Sequence, residues 1–126
     1  MKKLFISVPM KGRTEENIRK SIERMHKIAE LVFDEELEII PSYIEHKPPK
    51  DSIEALWYLG ESIKKLAETD YFIGINWSEF YKGCNAERSV AMEYGIKSYF
   101  VDLSVIPDAW EIERNNRNSC IPTNCG

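Results

Sequence analysis

The chain has 126 residues, of which 43% are hydrophobic and 30% charged, so it can bury the core of one domain but is too short for two ordinary ones. Its formal net charge of −4 offers no basic surface to a nucleic-acid backbone, and no apolar stretch approaches the roughly 20 residues that cross a membrane. We therefore expect neither a nucleic-acid polymer nor a membrane as partner. The apolar run near the start is short and is interrupted by Pro9 and Lys11, which favours the first strand of a cytoplasmic protein over a signal peptide.

A strand followed by an amphipathic helix is predicted twice in the first part of the chain. The strands are residues 3–8 and 37–41, and a loop over 42–50 follows the second one. Thr14 is placed to cap the first helix, whose predicted core stripe is Ile18, Ile22, Met25, Ala29 and Val32. Asp51 and Glu54 form a predicted capping pair for the second helix, whose stripe is Ile53, Leu56, Leu59, Ile63 and Leu66.

The same alternation continues to the end of the chain. Strands are predicted over 71–76 and 98–102, with a helix over 84–94 between them that Gly95 ends in a left-handed conformation. A short helix is predicted over 108–117, and residues 118–126 form a tail that is either disordered or packed on a neighbour.

Four strands separated by helices predict parallel pairing with right-handed crossovers. The expected fold is α/β, a three-layer α/β/α sandwich of flavodoxin-like character with strand order 2-1-3-4. We assign this domain to residues 1–104. Residues 105–126 are then a C-terminal extension that packs on the domain or on a neighbouring subunit.

The first candidate site is Glu87, which follows a buried strand and a glycine turn at Gly83. Parallel-sheet proteins bind ligands beyond the carboxyl ends of their strands, so Glu87 is expected to face that crevice. In the first turn of a helix it would lie near the positive end of the dipole, which favours its ionised form. An ionised glutamate is what displacement at a sugar carbon requires, although a first-turn glutamate can also serve the helix alone.

The turn after the first strand is a second candidate site. Met10, Lys11, Gly12 and Arg13 stand directly before a helix, where backbone amides bind anions and basic side chains add charge-assisted bonds. This predicts contact with a phosphate or a carboxylate. The alternative is an ordinary solvated turn.

Aromatic residues crowd the loop that leads to Glu87. Trp77, Phe80 and Tyr81 are expected to stack on a flat ligand or to pack on a partner subunit, unless the loop folds back on its own domain. Trp57 and Tyr58 are predicted to be core or interface residues. Cys84, Cys120 and Cys125 show neither the spacing of a metal site nor a disulfide framework, so we expect no metal and no cofactor.

Three segments together resemble a known family: residues 6–12, residues 70–76, and residues 83–87 with the Ala91 and Tyr94-Gly95 that follow. They resemble the nucleoside 2-deoxyribosyltransferase superfamily over residues 3–103, and most closely its small phage and bacterial members of unknown function. In that superfamily the nucleophile segment reads Asp-x-Gly-Thr-x-x-Glu-x-Gly-x-Ala, which matches residues 81–91 here. The turn at Met10 is also similar to that of the related deoxynucleoside 5′-monophosphate N-glycosidases.

The resemblance implies that Glu87 is the nucleophile that attacks the anomeric carbon of a 2-deoxyribosyl group. The substrate would be a small molecule, a 2-deoxyribonucleoside or its 5′-monophosphate, bound by Ser7, Pro9, Met10, Lys11, Gly12, Arg13, Asn76, Trp77, Gly83 and Cys84. The resemblance also implies a homo-oligomer, a dimer or a tetramer, in which a neighbour's residues line each site.

This chain departs from the family pattern at three positions. Tyr81 stands in place of an aspartate that binds or protonates the base, Cys84 in place of a threonine and Ser89 in place of a glycine. Tyr81 is counted with Glu87 as a catalytic residue. The leaving base needs a proton donor, and the sequence does not choose among Tyr81, Asn76, Glu79 and the chain terminus of a neighbour.

We expect an enzyme, a nucleoside deoxyribosyltransferase or a nucleotide N-glycosidase that cleaves or transfers the N-glycosidic bond. The alternatives are a non-catalytic nucleotide-binding protein, either sensor or sink, on the same fold, and a purely structural oligomer.

Overall fold

The computed structural model describes residues 1–41, 44 and 46–119, and its centre is a sheet of four parallel strands. The strands are β1 (Lys2–Ile6), β2 (Leu37–Ile39), β3 (Tyr71–Ile75) and β4 (Lys97–Val101), in the spatial order β2-β1-β3-β4. In β1, Leu4 is in register with Ile39 of β2 on one side and with Tyr71 of β3 on the other. This confirms the predicted strand order and the flavodoxin-like fold class.

Four α-helices and one short 3₁₀-helix connect or follow these strands in the described part of the chain. They are α1 (Glu15–Phe33), α2 (Glu54–Leu66), α3 (Lys82–Glu93), the 3₁₀-helix Leu103–Val105 and α4 (Pro107–Ser119). Buried residues of α1 and α4 share one core cluster with Leu4 and Ile73, whereas Leu66 of α2 and Ala91 of α3 share another with Phe5 and Phe72. The sheet is therefore covered on both faces, as right-handed crossovers require.

Several predicted details of the helices are confirmed. Thr14 is the N-cap of α1, and its side chain accepts a hydrogen bond from the Asn17 amide over 3.2 Å. Gly95 directly follows Tyr94, the C-cap of α3, and has a φ of 68°, which is the left-handed conformation expected there. Every residue of β3 is buried, because this strand has a neighbour on each side and a helical layer on each face.

Other details were predicted wrongly, most of them at α2. Asp51 does not cap α2, because the N-cap is Ile53 and no side chain bonds to it there. Of the predicted stripe only Leu66 is buried, whereas Ile53 and Leu56 are 71% and 60% exposed. α2 therefore keeps much of its apolar face in solvent. Val32, on the last turn of α1, is also exposed, whereas Phe33 beside it stacks on the Tyr71 ring of β3.

The segment after β4 packs on the domain's own core. Ile106 and Ala109 are fully buried within the cluster that contains the sheet, and α4 extends to Ser119. The predicted tail beyond residue 119, with Cys120 and Cys125, lies outside the described residues, and so does part of the loop predicted over 42–50. None of the helices that are described is long and apolar enough to cross a membrane.

Candidate active site at the carboxyl end of the sheet

A cleft opens where the strand order reverses, between β1 and β3. In a doubly wound sheet the helices leave in opposite directions at this point, and the gap between them is where such folds bind ligands. The cleft has a volume of about 460 Å³, which lies in the range of small-molecule sites. Residues from the loop after β1, from the start of α3 and from α2 line it.

Glu87 lies in this cleft and is held by Ser7, the residue that follows β1. The Ser7 hydroxyl donates a hydrogen bond of 2.6 Å to Oε1 of Glu87, and Ser7 itself is only 1% exposed. Within the part of the chain that the structure describes, Oε2 of Glu87 has no hydrogen-bond partner. One carboxyl oxygen is therefore fixed, and the other is left for a ligand.

The electrostatic state of Glu87 differs from the prediction. Burial raises the pKa of this carboxyl to about 7, and the hydrogen bond from Ser7 offsets part of that rise. The expected stabilisation of the ionised form by the helix dipole is not observed, because α3 begins at Lys82 and Glu87 lies in its second turn, where the dipole acts weakly. Near neutral pH both protonation states of Glu87 are populated.

Cys84 also lines the cleft, one helical turn before Glu87. Burial raises the pKa of its thiol to about 12, with a hydrogen-bond interaction with Ser7 lowering it and the Glu87 charge raising it. The thiol therefore stays protonated at neutral pH and is unsuited to act as a nucleophile.

Tyr81 does not occupy the position predicted for a proton donor. Its ring lines the cleft, but its hydroxyl donates a hydrogen bond of 3.1 Å to the carbonyl oxygen of Ala109 in α4. Burial raises the pKa of the Tyr81 hydroxyl to about 12. The phenol is thus a structural link to α4, because its only proton is already committed there.

Arg13 likewise has a different role from the one predicted. Its side chain is fully buried, and two of its nitrogens bond to the two carboxylate oxygens of Asp108 at 2.7 and 2.8 Å. It also donates to the Pro9 and Asn17 carbonyls and to the Ser21 hydroxyl. This pairing lowers the pKa of Asp108. Arg13 therefore joins the loop after β1 to α1 and α4, and it does not line the cleft.

Replacing Arg13 with alanine is expected to lower the free energy of unfolding by about 2 kcal/mol, because it removes the ion pair between a buried guanidinium and a partly exposed carboxylate and leaves several partly buried acceptors unpaired. Urea denaturation would measure this, with Arg19→Ala as the control, since Arg19 lies exposed on α1. Unchanged stability together with weaker anion binding would instead restore the ligand role.

Only part of the rest of the predicted anion turn lines the cleft. Met10 and Lys11 do so, and the Lys11 ammonium lies 4.6 Å from the centre of the Phe80 ring. Gly12 is exposed outside the cleft lining with a φ of 75°, and a side-chain carbon added there would lie 3.7 Å from Ile112 of α4, while Pro9 is fully buried. Only the first half of the turn therefore faces the ligand space.

Only part of the loop between β3 and α3 lines the cleft. Gly83 lines the cleft, but Asn76 and Trp77 do not, and Trp77 is 63% exposed. The loop is shaped by Ser78, whose hydroxyl donates to buried Glu113 of α4 and whose backbone bonds to the Asn85 side chain. Sequence reasoning missed Ser78, Asn85 and Glu113, because no local pattern connects residues 78 and 113.

The α2 wall of the cleft was missed as well. Tyr58, Leu59, Ser62 and Lys65 line it, although Tyr58 had been predicted to be a core or interface residue. The position of α2 could have been predicted from the strand order. Right-handed crossovers place the helices after β2 and β3 on the same face of the sheet, and therefore beside each other.

Comparisons with known proteins do not assign a function to this cleft. No protein-family model matches the chain, and no curated protein and no solved structure was found to match it. The functional argument therefore depends on the cleft and on the residues that line it.

Proposed function

We propose that the protein cleaves or transfers the N-glycosidic bond of a 2-deoxyribonucleoside or its 5′-monophosphate, with Glu87 as nucleophile. The observation that carries this proposal is the Ser7–Glu87 pair at the ligand-binding end of the sheet, with Oε1 fixed and Oε2 without a partner among the described residues. The resemblance of residues 81–91 to the nucleophile segment of the deoxyribosyltransferases supports the same assignment.

In the proposed reaction, Oε2 of ionised Glu87 attacks C1′ of the sugar. The new C1′–O bond forms as the C1′–N bond breaks, through an oxocarbenium-like state, and the electron pair of that bond leaves with the base. Water or a second base then displaces Glu87 from C1′. Because a 2-deoxy sugar has no 2′-hydroxyl to withdraw electrons, the cationic state forms more readily.

The departing base also needs a proton. Among the predicted donors, Tyr81 is bonded to Ala109, Glu79 is paired with Arg117 over 2.7 Å, and Asn76 lies outside the cleft lining. In the single chain the base therefore takes its proton from water. A role for the terminus of a neighbouring chain as proton donor stays a prediction.

A homo-oligomer and a cytoplasmic location also stay predictions. The exposed Ile53 and Leu56 of α2 are compatible with a subunit interface.

A panel of deoxynucleosides and deoxynucleoside 5′-monophosphates, incubated with and without acceptor bases, tests the proposal by product analysis. Release of free base alone indicates a hydrolase, and formation of a new nucleoside indicates a transferase. Failure of every compound to react would reject the enzymatic function.

A nucleotide-binding protein without catalysis is the second candidate. The observation that favours it is Tyr81, whose hydroxyl is turned away to α4 so that the chain offers no proton donor in the position the family resemblance predicts. Binding of panel compounds without turnover, seen by calorimetry, would support this candidate over the enzyme.

If Glu87 is the nucleophile, kcat/KM should rise with pH through about 7 and level off above it, because only the ionised carboxylate attacks. Ser7→Ala should move this rise to higher pH, since the Ser7 hydrogen bond lowers the pKa of Glu87. Ser98→Ala, a serine of β4 that bonds to the Ile96 carbonyl, is the control. A rise that stays in place in Ser7→Ala would contradict the coupling.

A further inference from the structure

The helix α4 bonds to both of the loops that border the cleft. Asp108, in its first turn, pairs with Arg13 of the loop after β1. Glu113, further along the same helix, accepts a hydrogen bond from Ser78 of the loop after β3. Among the described residues that line the cleft, none belongs to α4. This helix therefore acts on the cleft through the loops that it holds.

Glu113 is a buried carboxylate whose partners tie it to the loop after β3. One of its oxygens accepts a hydrogen bond from the Ser78 hydroxyl, and the other accepts one of 2.7 Å from the Arg117 guanidinium. Arg117 also forms an ion pair of 2.7 Å with Glu79 of that loop. A carboxylate is rarely buried unless hydrogen bonds and an opposite charge compensate for the water that it loses. Here a large part of that compensation comes from the loop.

The hydroxyl group of Ser78 joins Glu113 to the backbone that precedes α3. It donates its single proton to Glu113 and accepts hydrogen bonds of 3.2 Å from the amides of Phe80 and Tyr81. Because the proton points at Glu113, the lone pairs of the oxygen face the two amides. The Ser78 amide in turn donates a hydrogen bond of 2.9 Å to the side chain of Asn85 in α3. Ser78 therefore fixes both the turn of the loop and the start of the helix.

The backbone that Ser78 fixes presents residues of the cleft. Phe80 and Tyr81 line the cleft directly, and α3 then leads to Glu87. The Phe80 ring also contacts the Lys11 ammonium of the loop after β1. A displacement of about 1 Å at a reacting group can lower a rate about a hundredfold, so the position of this backbone matters for any chemistry at Glu87.

We infer that Glu113 is a positioning residue for the cleft. By accepting the proton of Ser78, it fixes the loop that presents Phe80 and the start of the helix that presents Glu87. It acts through Ser78 and touches no ligand itself. The expected effect on catalysis rests on the proposed function, whereas the expected effect on the order of the loop does not.

Hydrogen exchange of the Phe80 and Tyr81 amides, followed by NMR, tests the effect on the loop. Glu113→Met and Glu113→Gln both keep the length of the side chain, but only glutamine still offers Ser78 a strong acceptor. Exchange at these two amides is expected to be about tenfold faster in Glu113→Met and close to the wild-type rate in Glu113→Gln.

Two controls separate this local effect from a general loss of stability. The amides of the buried central strand β3 report global unfolding, and the exposed Glu111→Gln makes a matched change on the same helix. Exchange that rises equally at Phe80, at Tyr81 and in β3 would show that Glu113 only stabilises the domain, and would overturn the inference.

Steady-state kinetics with the deoxynucleoside that the panel shows to react fastest tests the effect on catalysis. Glu113→Met is expected to lower kcat per folded molecule about a hundredfold, and Glu113→Gln to retain most of the activity. A purely structural role would reduce the folded fraction and leave kcat of the folded molecules unchanged. Wild-type kcat in folded Glu113→Met would therefore overturn the positioning role.

Failure of this inference and failure of the proposed function give different results. If no compound of the panel reacts, the proposed function fails, and exchange at Phe80 and Tyr81 still decides whether Glu113 holds the loop. If compounds react but exchange at these amides is the same in Glu113→Met as in the wild type, only the inference fails. Should Glu113→Met not fold, Glu113→Asp replaces it, because that variant keeps the charge and withdraws the acceptor from Ser78 by one methylene.

Discussion

Glu87→Ala is expected to lower the rate of N-glycosidic cleavage by roughly a thousandfold or more, because removal of a nucleophile abolishes the covalent step. The fold should persist, since Glu87 lies at the cleft and the hydrogen bond lost from Ser7 is a single contact. Single-turnover release of base measures the effect. Glu87→Gln keeps the shape of the side chain and is expected to lose activity to the same extent, because an amide does not displace a base.

The control for this experiment is Glu93→Gln, which makes the same change at an exposed position near the end of α3. It should retain full activity. Turnover at the wild-type rate in Glu87→Gln would reject the nucleophile assignment, and circular dichroism would show whether either variant has lost its structure.

Glu87→Gln is also expected to make the protein more stable at alkaline pH. The pKa of Glu87 rises from 4.5 to about 7 on folding, so the folded state holds this proton more tightly than the unfolded state does. Ionisation of Glu87 therefore costs stability as pH rises above 4.5, and the full cost is reached above pH 7. A neutral glutamine avoids that cost, which is about 3 kcal/mol at pH 8.5 and under about 1 kcal/mol at pH 5.

Urea denaturation of the wild type and of Glu87→Gln at these two pH values measures the difference. Other carboxyl groups titrate equally in both proteins, so the comparison isolates Glu87. A stability difference that does not change with pH would show that Glu87 is not desolvated. Glu87 would then lower the stability of the protein in the ionised form that is active. Such a trade-off between stability and activity is common at functional sites.

The fold could be predicted from the sequence because each of its signals is local. A run such as residues 71–75 with a helix before and after it predicts a buried parallel strand, and crossover handedness then leaves few possible arrangements. Glu87 could be located for the same reason, since a strand, a glycine turn and a helix place it at a known edge of the sheet. Its raised pKa could not be predicted, because burial in the cleft causes it and that burial depends on residues distant in sequence.

The roles of Arg13 and Tyr81 could not be predicted, because their partners are distant in sequence. Arg13 precedes a helix, as an anion-binding residue would, yet Asp108 in α4 takes its charge. Tyr81 stands in the motif where an acid is expected, yet its hydroxyl donates a hydrogen bond to the Ala109 carbonyl. Both outcomes depend on where α4 docks, which no pattern within α4 specifies. The exposure of α2 could not be predicted either, because its apolar spacing alone predicts a buried face.

The ion pair between Arg13 and Asp108 joins residues that are 95 positions apart in the chain. It can therefore form only late in the synthesis of the protein on the ribosome. A nascent chain that has completed β1, α1 and β3 still holds the Arg13 guanidinium without its counter-ion. Asp108 leaves the ribosomal exit tunnel only after nearly the whole domain has been synthesised, because α4 follows the last strand. Until then the loop after β1 lacks its ion pair with α4, and we expect this edge of the cleft to be less ordered in the nascent chain than in the finished domain.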